Sequence, residues 1–326
     1  MRRRRRRAAK AGSRALLAAA ALGGAALSAR AARRYRRDIR RERERIESGS
    51  AVADTAAGPI EYAISGEGPP VLVVHGAGGG FDQGLEIAGP IAQSGFRVVA
   101  MSRFGYLRTP VPADASAAAQ ADAHAALLDA LGIAKTAVVG ASAGAPSAIQ
   151  LALRHPDRVT ALALLVPAVY PARAAARLSA SAALALNAIL QCDFLFWAGW
   201  RLAPRTMTRA VLGTPPTVLD VAGAGERSRA RAVGDHILPV SVRRRGLLND
   251  AAVVGSLPRY ELERISAPTL VLALRDDLFG TWDGALYTAE HVVGARFVGY
   301  PTGGHLFVGR GKQVMEEVAG FLRGES

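Results

Sequence analysis

Ser142 lies at the centre of Gly140-Ala141-Ser142-Ala143-Gly144, after the apolar run Thr136-Ala137-Val138-Val139 and before a helix-like stretch from Ala145 to His155. A serine held on a sharp strand-to-helix turn projects its Oγ out of the sheet, and flanking glycines let the backbone turn and let helix and strand approach. The first N–H groups of the following helix point at any negative charge that develops there. The chemistry this suits is nucleophilic attack on an acyl carbon. Taken alone, the pentapeptide reads first as a small-residue turn, because Gly, Ser and Ala are common; three further features decide against that.

The first is His75-Gly76-Ala77-Gly78-Gly79-Gly80, which follows Pro70-Val71-Leu72-Val73-Val74. The apolar, β-branched run reads as a buried parallel strand. A glycine-rich loop at its end can aim a backbone N–H at an oxyanion, and Ala143, next to the serine, can supply a second. A phosphate-cradling loop is the competing reading, but the Lys-Ser/Thr of a P-loop and the G-x-G-x-x-G spacing are both missing. The second feature is the strand-like Pro268-Thr269-Leu270-Val271-Leu272-Ala273-Leu274, ending in Arg275-Asp276-Asp277. The third is Gly303-Gly304-His305, after the strand-like Arg296 to Tyr300. Serine, aspartate and histidine thus each follow a strand, and in an open parallel sheet such ends share one edge.

From about Pro59 to Phe321 the chain resembles the α/β-hydrolase superfamily, near its bacterial esterase-like and meta-cleavage-product-hydrolase-like members. The resemblance rests on His75-Gly76-Ala77-Gly78-Gly79, Ser102-Arg103-Phe104-Gly105-Tyr106, Gly140 to Gly144, Asp277 and Gly304-His305, and on the order Ser…Asp…His. It implies Ser142 as nucleophile, His305 as base and Asp277 as the carboxylate, with Asp276 in reserve. It also implies Ala77 and Ala143 as oxyanion donors within a supporting loop of His75, Gly76 and Gly78. Leu274 stands where the family usually has glycine before its acid, and Ser102 where it often has a structural aspartate. The implied reaction is hydrolysis of a carboxylic ester through an acyl-enzyme. The alternatives are C–C bond hydrolysis of meta-cleavage-type diketone acids and a non-catalytic ligand-binding or scaffold role. A serine nucleophile argues against epoxide hydrolase and haloalkane dehalogenase chemistry, where the family uses a carboxylate.

The elements that must position these residues form an α/β pattern. Ala51 to Asp54 and Glu61 to Ile64 suggest an antiparallel hairpin turning at Gly58-Pro59. Strands are expected at Val71–His75, Arg97–Met101, Thr136–Val139 and Val159–Val166, with helices near 84–94, 115–131 and 145–155. That alternation means a mostly parallel, doubly covered sheet. From about 167 to 262 the segments are helix-like and alanine- and leucine-rich, the expected cap over the site, and the strand pattern resumes at Pro268.

The chain has 326 residues and a net charge of +14. Residues 1–47 hold 17 basic and four acidic side chains, net +13, which leaves +1 for the rest. The body therefore gives no reason to expect nucleic acid. Residues 1–49 are expected to form a basic N-terminal segment, and 50–326 the hydrolase domain. Ala15 to Ala29 is uncharged and mostly apolar; fifteen helical residues span roughly 22 Å, short of a ~30 Å bilayer core. The expectation is a single membrane anchor of undetermined orientation in contact with lipid, or else a signal cleaved on export. Arg30 to Glu47 reads as a continuing helix with Tyr35, Ile39 and Ile46 near one face.

In the cap, Phe194-Leu195-Phe196-Trp197-Ala198-Gly199-Trp200 is the densest aromatic cluster. It reads as cap packing, or as an apolar substrate pocket or lipid-facing surface. Arg243-Arg244-Arg245 reads as a solvated helix end, His124, His155, His236 and His291 as surface or cap residues, and Cys192 as a buried small hydrophobe. No cofactor and no catalytic metal are expected, and the partner is a small, apolar ester.

Overall fold

A computed structural model describes residues 28–171 and 188–325. Eight strands form one sheet: β1 (Ala51–Thr55), β2 (Gly58–Ser65), β3 (Pro70–Val74), β4 (Arg97–Met101), β5 (Thr136–Ala141), β6 (Val159–Leu165), β7 (Thr269–Leu274) and β8 (Arg296–Tyr300). Their order is β1-β2-β4-β3-β5-β6-β7-β8. β2 runs antiparallel to β1 and β4, and every later pairing is parallel. The expected doubly covered, mostly parallel sheet is therefore present. The opening hairpin turns at Ala56-Ala57, two residues earlier than the sequence suggests. Gly58 has φ +92 there, and Thr55 Oγ1 donates to its carbonyl at 2.7 Å, closing the turn.

The apolar runs are continuous because both faces are covered. Leu72, Val74, Val99, Met101, Val138, Leu162, Leu164 and Val271 pack on one side against α3 (Ala117–Ala130), α4 (Ala145–Arg154) and α10 (Trp282–His291). Val71, Val73, Val98, Ala100, Val139, Leu270 and Leu272 pack on the other against α2 (Phe81–Gln93) and α11 (Gly311–Leu322). Alternate residues of each strand thus feed alternate layers, and each fully buried aliphatic side chain contributes about 1.5–3 kcal/mol. α2 starts at Phe81, three residues before the expected helix, because Ser102 Oγ accepts the Phe81 N–H at 3.0 Å at its first turn.

The chain runs from β3 outward to β4, then back past β3 to β5. That reversal opens a crevice at the C-terminal ends of β3 and β5, the place where open α/β sheets bind ligands. Register pairs Val74 with Gly140, so the His75 loop and the Ser142 turn leave the sheet side by side.

Between β6 and β7 the longer described elements are helices: α5 (Asp193–Leu202), α6 (Pro204–Val211), α7 (Pro216–Asp220), α8 (Ala224–His236) and α9 (Arg244–Val254). Phe196, Trp197 and Trp200 form the core of this cap with Leu212, Ile237, Leu238 and Val240. Gly234 admits Trp200, since a Cβ there would lie 1.9 Å from the indole. The aromatic cluster is thus mainly cap packing, while Phe194 and Leu195 stay exposed. Cys192 is half-buried instead of buried.

Residues 28–48 form α1, which lies against this cap. Tyr35 meets Phe194 and Trp197 edge-on at 5.3 and 5.6 Å, and Ile39 packs on the same cluster. Asp38 accepts from Trp197 Nε1 and Arg201, each at 3.1 Å. The apolar stretch expected to contact a membrane or be cleaved, Ala15 to Ala29, lies almost wholly outside the described residues. Among the described residues no helix is long and apolar enough to cross a membrane.

Candidate active site

Ser142 follows β5 with φ +49, a left-handed conformation that costs a non-glycine residue roughly 1–3 kcal/mol. The neighbours enforce it. A Cβ at Gly144 would lie 2.5 Å from the carbonyl oxygens of both Val74 and His75, and one at Gly140 would lie 2.7 Å from Ala148 Cβ. Only glycine lets the turn press this closely against β3 and α4.

Asp277 lies past the end of β7 and His305 past the end of β8, on the same sheet edge as Ser142. His305 Nδ1 donates to Asp277 Oδ2 at 2.9 Å. The same carboxylate accepts from Phe279 N at 2.9 Å and from the Thr281 hydroxyl. Burial alone would raise its pKa, but His305, Thr281 and Phe279 outweigh that and hold it below the usual carboxylate range. Asp276, the reserve candidate, points elsewhere: it accepts from Gly303 N at 3.1 Å and Gly304 N at 2.8 Å, and so shapes the turn carrying His305. Phe279 sets its ring edge-on to His305 at 4.8 Å and is 45% exposed. From the cap, the Gly213 carbonyl accepts from Leu278 N at 2.9 Å and His305 N at 3.4 Å, tying the acid and histidine loops together.

In the loop after β3, Gly76 N donates to Gln83 Oε1 at 2.8 Å, Gly78 N to the Tyr106 hydroxyl at 3.1 Å and Gly79 N to the Gly76 carbonyl at 3.3 Å. The N–H of Ala77 has no acceptor among the described residues, and Ala77 is exposed. Ala143 is buried beside Ser142. His75 is fully buried and supports the loop: Nδ1 donates to the Gly76 carbonyl at 2.7 Å and Nε2 accepts from Arg103 N at 3.0 Å. Burial, then the nearby Arg103 charge, holds its pKa well below the ordinary value. His75 is therefore neutral with its proton on Nδ1.

Several residues hold this loop through long-range pairings that the sequence does not reveal. Arg103 donates to the His75 carbonyl at 2.9 Å and forks onto Asp250 of α9 at 2.5 and 2.7 Å. Tyr106 donates to the same Asp250 at 2.6 Å. Burial and the Asp250 charge push the phenol well above its usual pKa, so it stays protonated. Arg243, expected on a solvated helix end, is completely buried. It donates to the Gly79 carbonyl and forks onto Asp82 at 3.2 and 2.7 Å, a partner 161 residues away that charge-run reasoning cannot see. His124 is also fully buried, bonded to Ser147 Oγ at 3.1 Å beneath the Ser142 turn, and not at the surface. Ser102 is structural, donating to Glu61 Oε2 at 2.8 Å. Among the described residues no group of three or more His, Cys, Asp or Glu is placed to hold a metal ion.

A serine on a strained strand-to-helix turn, with an aspartate–histidine pair at the same edge of a capped parallel sheet, is the arrangement of an α/β hydrolase. The chain belongs to the alpha/beta hydrolase fold family, whose profile matches residues 69–309. It is 41% identical over 103 residues to a 2-hydroxymuconate semialdehyde hydrolase of Pseudomonas putida, covering 31% of this chain and 37% of that one. It is 28% identical over 255 residues to a putative carbamate hydrolase of Variovorax paradoxus, covering 76% and 89%. The leading curated matches span little over a third of those relatives' length. Among solved structures, an alpha/beta hydrolase fold protein from Nakamurella multipartita superposes with TM-score 0.69 at 28% identity, covering 85% of this chain and all of that one.

Proposed function

We propose that the protein is a serine hydrolase that cleaves a carboxylic ester through Ser142, His305 and Asp277. The observation that carries this reading is the 2.9 Å bond from His305 Nδ1 to Asp277, on the sheet edge that also presents Ser142 at φ +49. With its Nδ1 proton held by Asp277, His305 has Nε2 free to take the proton from Ser142 Oγ as the oxygen attacks the acyl carbon. Asp277 then stabilises the imidazolium. The N–H groups of Ala77 and Ala143 receive the oxyanion, each worth about 3 kcal/mol in the transition state. Return of the proton expels the alcohol, and water, activated by His305, releases the acid.

An apolar substrate is favoured by what borders the site: Phe279 on the histidine, and Ile237 of the cap within 3.5 Å of where a Gly78 Cβ would be. A second reading, C–C hydrolysis of a diketone acid, draws on the relative described as a 2-hydroxymuconate semialdehyde hydrolase. A screen of p-nitrophenyl esters by chain length, run beside a meta-cleavage dienone acid, separates the two. Faster turnover of the esters supports the first reading; turnover of the dienone alone replaces it with the second. For the N-terminal segment, its +13 charge beside an apolar stretch supports contact with an anionic lipid surface. Sedimentation of the full chain with phosphatidylglycerol vesicles tests this, and failure to co-sediment at low salt rejects it.

A further inference from the structure

The loop that carries Ala77 is held from two directions. Arg103 and Tyr106 grip His75, Gly76 and Gly78, with Asp250 behind them. On the other side the Gly79 carbonyl, two residues past Ala77, accepts from Arg243. Arg243 forks onto Asp82 in the first turn of α2, and Asp82 also accepts from Arg45 Nη1 at 2.7 Å. Arg45 belongs to α1. Its other nitrogens donate to Glu42 Oε2 at 2.7 Å and to the His236 carbonyl of the cap at 3.2 Å. Arg243 has no exposure and the Asp82 side chain is 4% exposed, so the relay is out of water along most of its length. There is little slack: a Cβ on Gly80 would lie 3.0 Å from Arg243 Nη1 and 2.9 Å from Asp82 Oδ1.

We propose that Arg45 is a positioning residue for the oxyanion loop, acting through Asp82 and Arg243 on the Gly79 carbonyl, so that its grip on Asp82 sets the aim of the Ala77 N–H. Asp82 must satisfy two guanidinium groups at once. Removing Arg45 lets the Asp82 carboxylate rotate toward Arg243 alone, and Arg243 then shifts its grip on Gly79. A donor displaced by a fraction of an ångström loses its worth in the transition state while substrate binding is untouched. The catalytic consequence rests on the oxyanion role proposed for Ala77; the mechanical link does not. Other contacts of α1, such as Tyr35 on Phe194 and Trp197, fasten the same helix to the cap without touching the relay.

The test uses the full chain with Arg45→Met, Arg45→Lys and Tyr35→Ala. Hydrogen exchange of the peptide spanning 75–80 and kinetics on p-nitrophenyl acetate are measured for each. Arg45→Met is expected to speed exchange in that peptide, to lower kcat about tenfold with KM within twofold, and to weaken a trifluoromethyl ketone inhibitor by the same factor as kcat. Arg45→Lys keeps a cation beside Asp82 and is expected to recover most of the loss. Tyr35→Ala is expected to lower the melting temperature while leaving both exchange in the loop and kcat near wild type. Unchanged exchange in Arg45→Met, or an equal kcat loss in Tyr35→Ala, overturns the proposal. A wild-type protein inert to the ester instead defeats the ester-hydrolase reading, and the exchange result still decides the link.

Discussion

Asp276 and Asp277 are neighbours in sequence but serve His305 in different ways: Asp277 accepts the imidazole Nδ1–H, and Asp276 accepts the two backbone N–H groups that shape the turn before it. Asp277→Asn is expected to lower kcat by about 10⁴, because an amide no longer fixes the tautomer that leaves Nε2 basic. In Asp276→Asn one amide oxygen remains to accept, so about a tenfold loss is expected, in line with roughly 1.5–3 kcal/mol for a charged hydrogen bond partly retained. Steady-state kinetics on one ester rank the two variants. The reverse order would make Asp276 the acid.

The Ser142 turn depends on a glycine against carbonyl oxygens. Gly144→Ala puts a Cβ 2.5 Å from two of them, and the backbone of β3 or of the turn must move. The expected cost is about 1–3 kcal/mol of stability, the usual range for overpacking, with a larger proportional loss of kcat because Ala143 moves with the turn. Urea unfolding and kinetics on the same sample check this. A variant as stable and as active as wild type would contradict the close approach.

Arg103 and Asp250 are both about 5% exposed and joined by two short bonds. Arg103→Met leaves Asp250 charged in the interior with Tyr106 for company, and a loss of about 3–5 kcal/mol is expected. Adding Asp250→Leu to that variant is expected to restore part of the loss, since the stranded charge disappears. Denaturant midpoints of the two singles and the double give the coupling; simple additivity would mean that the pair does not act as a unit.

Two buried histidines make stability depend on pH. His75 and His124 are fully buried, and burial is the largest cause of lowered pKa at both, taking His124 down to about 3. Unfolded, each titrates near 6.5. Below about pH 6.5 the unfolded chain binds protons that the folded chain refuses, so their contribution is complete above that pH and is lost as pH falls toward the folded values. Each group adds a slope approaching about 1.4 kcal/mol per pH unit. Urea midpoints from pH 8 to pH 5 in wild type and His124→Gln are expected to differ in slope by about one histidine. Parallel curves would show that His124 takes up its proton while folded.

The sheet and the edge where the site forms were legible because their signals are local. Val71 to Val74 and Leu270 to Leu274 are buried on both sides, so they appear as unbroken apolar runs, and the turns after β3 and β5 carry their own glycines. The loop supports were hidden because they depend on tertiary pairing. Arg243, Arg244 and Arg245 look alike in sequence, and only Asp82, brought over by α2, makes the first a buried residue. Asp250 likewise lies 147 residues from Arg103. His124 was missed for a different reason. Alanines around most of α3 give little contrast between its faces, so a fully buried histidine there carries no periodic signal.

The central claim is that Ser142 is an activated nucleophile. It is tested most directly by treating the purified full chain with a fluorophosphonate and mapping the adduct by peptide mass spectrometry. The account predicts one adduct per chain, on Ser142, formed in step with loss of esterase activity, absent in Ser142→Ala and strongly slowed in His305→Ala. Labelling at another residue, or none at Ser142 in a protein that still turns over its substrate, would contradict it.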